Sequence, residues 1–155
     1  MHANRYQEVA IAALGAAPDV QSAEPWDRGD HTRGLHVTFT TGSQVWFGTA
    51  WAHPDGMKPD DDVVVHGEAP AEVPLPDLFD NGKVSPARAA EYLAAAFTNS
   101  RNTEILSVAA YGPENYNPGF GVRFHNGARA FNVIYHVARA GQGISGPAYQ
   151  LPDTF

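Results

Sequence analysis

The chain has 155 residues, with 10 Lys and Arg against 17 Asp and Glu, a formal charge of −7, 43 % hydrophobic residues and no Cys. Three Trp, six Tyr and eight Phe can fill a core, and no apolar run approaches the roughly 20 residues of a membrane helix, so a disordered or membrane-spanning chain is excluded in favour of a globular one. The missing Cys excludes disulfide scaffolds, thiolate zinc sites and cysteine nucleophiles, and the acidic balance argues against broad nucleic-acid binding, which needs a Lys/Arg excess on at least one face.

In chain order, the first predicted element is a helix over Asn4 to Ala16, with Val9, Ala10, Ala13 and Leu14 on its apolar face. Arg5 followed by the apolar stretch Val9 to Ala17 superficially matches a signal peptide. Glu8 interrupts it and the stretch is short and Ala-rich, so an amphipathic helix and a cytoplasmic location are expected. A strand through Trp26 precedes a hairpin from Gly34 to Trp51. Read as a two-residue turn, Thr41-Gly42 places Leu35, Val37, Phe39, Trp46 and Gly48 on the core face. Val45, Phe47 and Trp51 then fall on the other face, which needs a cover: a partner, a second copy, the loop or a helix of the same chain.

From 53 to 85 the chain is an acidic, Pro-rich connector. Asp55, Asp60, Asp61, Asp62, Glu68, Glu72, Asp77 and Asp80 stand there against Lys58 alone up to Gly82, which accounts for the whole formal charge of −7. Val63, Val64 and Val65 are expected as a further or edge strand within it. Ser85 as N-cap and Pro86 at the first helical position start a second helix running to Thr98, with Tyr92, Leu93, Ala96 and Phe97 inward. A second hairpin runs from Gly119 to His136 around Asn126-Gly127. With His125 facing Ala128, it presents Phe120, Val122, Phe124, Phe131, Val133 and Tyr135 on one face and Arg123, His125, Asn132, Ile134 and His136 on the other. The Gly/Pro-rich tail after Gly141 is expected to wrap the surface.

Gly34, Val37, Phe39 and Gly42 recur 85 positions later as Gly119, Val122, Phe124 and Gly127, and Trp26 matches Tyr111 at the same spacing. The reading is a single domain over 1–155 of α+β class: two helix-plus-hairpin pseudo-repeats, 4–52 and 86–137, form one antiparallel sheet of six to eight strands with two helices packed on one face.

Chemistry is sparse. His125 and His136 lie about eight ladder positions apart, roughly 27 Å at ~3.4 Å per residue, too far to share a metal. No HExxH, GxSxG or phosphate-loop pattern occurs, Asp60-Asp61-Asp62 lacks the spacing of a calcium loop, and no cofactor or metal is expected. Extending the first ladder sets Asp30 opposite His53, read as a surface pair or no contact.

The stretch from Gly34 to Tyr111 resembles the first immunity-protein family of bacterial polymorphic-toxin systems. Its hairpin about Gly42, the run Val63 to Val65, the connector through Val73-Pro74-Leu75-Pro76, the helix from Ser85-Pro86 and the strand Ile105 to Val108 follow the family order, with Tyr111 where that family carries a Trp. The resemblance implies a cytoplasmic inhibitor that plugs a toxin active site.

The function expected is therefore a non-catalytic protein-binding module, an immunity or antitoxin-like inhibitor of a basic toxin or nucleic-acid-acting enzyme. Asp60, Asp61, Asp62, Glu68 and Glu72 would steer the basic protein partner, with Trp51 and Tyr116 as anchors. Direct nucleic-acid or membrane contact is not expected. One alternative is a small-molecule-binding protein or enzyme with a pocket between sheet and helices lined by Arg123, His125, Asn132 and His136. Another is a phage or plasmid assembly protein that self-associates, a homodimer included, through Val45, Phe47 and Trp51.

Overall fold

The computed structural model describes every residue except 29–32, 114 and 116. It is an α+β fold in which a helix followed by three strands occurs twice: α1 (Ala3–Gly15), β1 (Val20–Asp27), β2 (Arg33–Phe39), β3 (Gln44–Ala52), then α2 (Pro86–Thr98), β4 (Ile105–Ala110), β5 (Gly119–Phe124) and β6 (Arg129–Ala138). The six strands form one antiparallel sheet in the order β1-β2-β3-β6-β5-β4, so β3 and β6 meet at its centre and β1 and β4 are its edges.

Each helix starts where its sequence supplies a cap. The Ser85 side chain accepts the Arg88 N–H at 3.2 Å with Pro86 behind it, and the His2 ring accepts the Asn4 N–H at 3.1 Å. Leu14 and Ala10 of α1, and Tyr92, Leu93 and Phe97 of α2, are fully buried. Tyr6 stacks on Phe97 at 5.9 Å, joining the two helices over one face of the sheet. Leu35, Val37, Phe39, Val45, Phe47, Phe120, Val122, Phe124, Ala130 and Ile134 face them, giving a single apolar layer.

Both hairpin registers differ by one residue from the two-residue-turn expectation. The Phe39 N–H donates to Ser43 O and the Phe124 N–H to Ala128 O, so each loop has three residues and ends in a left-handed glycine, Gly42 (φ 87°) and Gly127 (φ 92°). A one-residue slip inverts one strand of each pair. Val45 and Phe47 are core residues covered by the helices of the same chain, and Trp46 lies on the opposite, outer face, stacked on His36 at 4.4 Å. In the second hairpin Phe131 faces outward, 37 % exposed, while Asn132 and Ile134 face in.

Residues 63–65 form no strand. The Asn126 side chain takes the Val63 carbonyl, and the Gly67 N–H goes to Thr103 O, so their polar groups are tied point by point and not along a ladder. No helix among the described residues is long and apolar enough to cross a membrane.

Candidate functional site

What fixes the acidic connector decides what it presents. Arg5 of α1 donates to Asp62 through Nη2 at 3.0 Å and to Glu104, at the foot of β4, at 3.0 Å, and the Met1 amine lies 2.8 Å from Glu104 Oε1. Asn126, in the β5–β6 loop, donates to Val63 O at 2.9 Å, and His66 Nδ1 meets Thr103 Oγ1 at 2.7 Å. His125 Nε2 pairs with Glu68 O at 3.0 Å. Asn99, capping the C-terminus of α2, takes the Val73 N–H and donates to Val73 O, both at 2.8 Å. Arg101 pairs with Glu72 at 3.1 Å. The anchors belong to helix ends, a strand foot, tight turns and the loop between α2 and β4, so the connector is a strap with a defined path.

Its ionic anchor is internally balanced. The hydrogen bond from Arg5 is the main cause that holds the Asp62 carboxyl below its ordinary value of 3.8. At Glu104, burial favours the neutral acid, but hydrogen bonds from Arg5 and the Met1 amine outweigh it and the carboxyl sits below 4.5. The same two partners hold the Arg5 proton more firmly.

The acids named from sequence therefore divide. Asp62 is spent on Arg5, and Glu72 shares Arg101. Asp60 and Asp61 are exposed, Asp61 accepting the Lys58 N–H at 3.1 Å, and Glu68 is exposed. Beside them Val63, Val64 and Val65 are 47 %, 45 % and 40 % exposed. The free surface of the strap is a run of carboxylates and branched apolar side chains side by side.

Trp51, expected from sequence to be an interface anchor, is half-buried on the core face, against Tyr6 at 5.7 Å and Phe124 at 5.4 Å. It lines a cleft of about 280 Å³ with Tyr6, Gln7 and Arg33. Tyr116 and Asp30 lie outside the described residues; His53 sits 6.1 Å from His2 and 6.4 Å from Trp51, ring to ring.

The four residues grouped as a pocket lining are not brought together. Asn132 is fully buried, donating to Tyr6 Oη at 2.8 Å and Phe120 O at 3.2 Å and accepting from Thr49 Oγ1 at 2.9 Å. That satisfied network inside the core pins α1 to the sheet. Arg123 and His136 are on the outer face, and His125 is in the turn. Burial, then the neighbouring Arg28, lowers the pKa of His136. A groove of about 460 Å³ between α1 and α2, lined by Val9, Ala13, Leu75, Ala96 and Ser100, holds none of the four.

Sequence reasoning missed the residues that set the strap: Arg5, Glu104, Asn99 and Asn126. Arg5 and Glu104 lie 99 positions apart, and no local pattern links them. No group of three His, Asp or Glu among the described residues could hold a metal ion. No family model matches the chain, and no curated protein or solved structure matches it.

Proposed function

We propose that this chain is a non-catalytic protein-binding module, a cytoplasmic immunity or antitoxin-like inhibitor whose acidic strap docks on a basic toxin that acts on nucleic acid. One observation carries the reading: the strap is anchored at both ends and in the middle, yet leaves Asp60, Asp61, Glu68 and Val63 to Val65 in solvent. A segment held in place before it meets its partner loses little conformational entropy on binding, and its carboxylates raise the encounter rate with a positive surface. The valines supply apolar area for the contact once made.

The repeated helix-and-three-strand order also supports descent of the two halves from one duplicated unit. Two features recur at the 85-residue spacing. The left-handed glycines of the hairpin loops correspond, and Trp26 covers Gly34 as Tyr111 covers Gly119.

The proposal expects a basic toxin gene beside this one, and its test is the association rate with the domain that gene encodes, measured by stopped flow across ionic strength. Asp60→Asn/Asp61→Asn/Glu68→Gln should slow association at least tenfold at low salt and flatten its salt dependence, with the melting temperature unchanged. Asp62 is left intact because its loss would unpair Arg5. An unchanged rate would contradict the proposal.

A further inference from the structure

We propose a second docking surface of opposite character: the β4 edge, with the recess beside it on the outer face, takes an extended acidic peptide of a partner protein as a seventh strand.

The two sheet edges are unlike. β1 carries Glu24, Pro25 and Asp27, the charges and proline that blunt an edge against pairing. β4 reads Ile-Leu-Ser-Val-Ala-Ala, without charge or proline. The Tyr111 N–H donates to Gly119 O at 2.9 Å, which sets the phase of the ladder. Residues 107, 109 and 111 turn their backbone groups toward β5, so those of Val108 and Ala110 point away from the sheet. Neither outward amide has a partner among the described residues.

The outer face next to this edge is built of small residues backed by positive charge. Ser107, Arg123 and Arg129 form one cross-strand row, and Ala109, Gly121 and Phe131 the next. They enclose a recess of about 180 Å³, with Tyr111 at its end. Arg123 and Arg129 are directly opposed and exposed, and neither makes an ion pair among the described residues. Like charges opposed across a ladder destabilise it, and a carboxylate placed between them reverses that sign. The Tyr111 hydroxyl is buried without a hydrogen-bond partner among the described residues.

These features select the occupant. An added strand would lie ~4.8 Å beyond β4, about 10 Å from β5. A Glu or Asp side chain passing over Ser107 would meet the Arg123 guanidinium at that separation. The alternate residues of the strand would pack on Val108 and Ala110, both half-buried on the core side. The recognised sequence alternates acid and apolar residues, with main-chain bonds giving affinity and the arginines giving selectivity.

The probe is a fluorescein-labelled peptide of alternating Val and Glu, followed by anisotropy, with a Val/Lys peptide of equal length as control. The Val/Glu peptide should bind and weaken with salt, and its Kd should rise at least tenfold in Arg123→Glu/Arg129→Glu and in Ala110→Pro. Amide exchange at Val108 and Ala110 should slow in the complex. The exposed arginines and the exchange readout serve even where Ala110→Pro fails to fold. Equal binding of the Lys peptide, or an unchanged Kd in the arginine variant, overturns the proposal. Displacement by free glutamate without protection of Val108 and Ala110 overturns it in favour of a small-anion site. A dimer abolished by Ala110→Pro overturns it in favour of a second copy at the edge.

Discussion

Over β1 to β3 the outer face of the sheet is closed by rings, whereas over β4 and β5 it is left as small residues and two arginines. In the first region His36 stacks on Trp46, the Trp26 ring lies on Gly34, and Tyr135 lies over Gly48. The tail adds Tyr149, 4.8 Å from Tyr135 and tied to it by its N–H at 2.9 Å. Burial and Tyr135 push the Tyr149 hydroxyl up to about 12. In the second region Tyr111 repeats this pattern over Gly119 and reaches across Gly121, whereas Arg123, Ala109 and Ser107 stay exposed. One backbone plan thus supports a finished surface and an open one, and side-chain size in the outward rows decides which.

The most severe way to probe what the halves share is to fill the glycine under each aromatic ring. A Cβ at Gly34 would stand 2.2 Å from Phe47 O, and one at Gly119 would stand 2.1 Å from Asn132 O. Both obstacles are backbone, so Gly34→Ala and Gly119→Ala should each cost about 3 kcal/mol or more in urea unfolding. A neutral result at one would mean that the halves are packed differently. Ring deletions sharpen the contrast. Trp46, 5 % exposed, should cost about 3 kcal/mol as Trp46→Ala, and Phe131, 37 % exposed, under about 1 kcal/mol as Phe131→Ala. Similar losses would show that the second outer face is closed too.

The strap anchor gives a smaller effect with a pH signature. Glu104→Gln should lose about 1–2 kcal/mol at pH 7, since Arg5 is partly exposed and screened. The folded-state pKa values of Asp62 and Glu104 lie below 3.8 and 4.5, so their stabilisation is full above those values and is lost as pH falls through the folded ones. The gap between wild type and Glu104→Gln should therefore close in acid, as read by thermal melts from pH 7 to pH 2. The smallest expected change is at the open face: Arg123→Gln should leave stability within about 0.5 kcal/mol or raise it slightly, by relieving repulsion from Arg129.

The sequence made the helices legible because their signals are local. Ser85 and Pro86 mark the start of α2, and its 3.6-residue pattern gives Tyr92, Leu93, Ala96 and Phe97. Hairpin positions were legible, but register was not, because it depends on whether Gly42 and Gly127 sit inside two-residue or three-residue loops. Asn81-Gly82 does form a two-residue turn, with φ of 50° and 76° between the bridged Asp80 and Lys83. The slip in the first hairpin had a signal: Val45 and Phe47 stranded on an otherwise polar face. In the second hairpin the polar Asn132 faces in and the apolar Phe131 faces out, so the clean separation of faces favoured the wrong register. The strap escaped because Arg5–Glu104, Asn126–Val63 and Asn99–Val73 are tertiary pairings without a sequence period.

In the proposed function the strap is the primary contact with a basic partner. The direct measurement is amide hydrogen exchange on the chain alone and bound to the basic toxin proposed as its partner. Slowed exchange across residues 60–72, with the groove between α1 and α2 unchanged, is the predicted footprint. Protection confined to that groove or to the aromatic outer face of β1 to β3, with the strap exchanging as in the free protein, would contradict it.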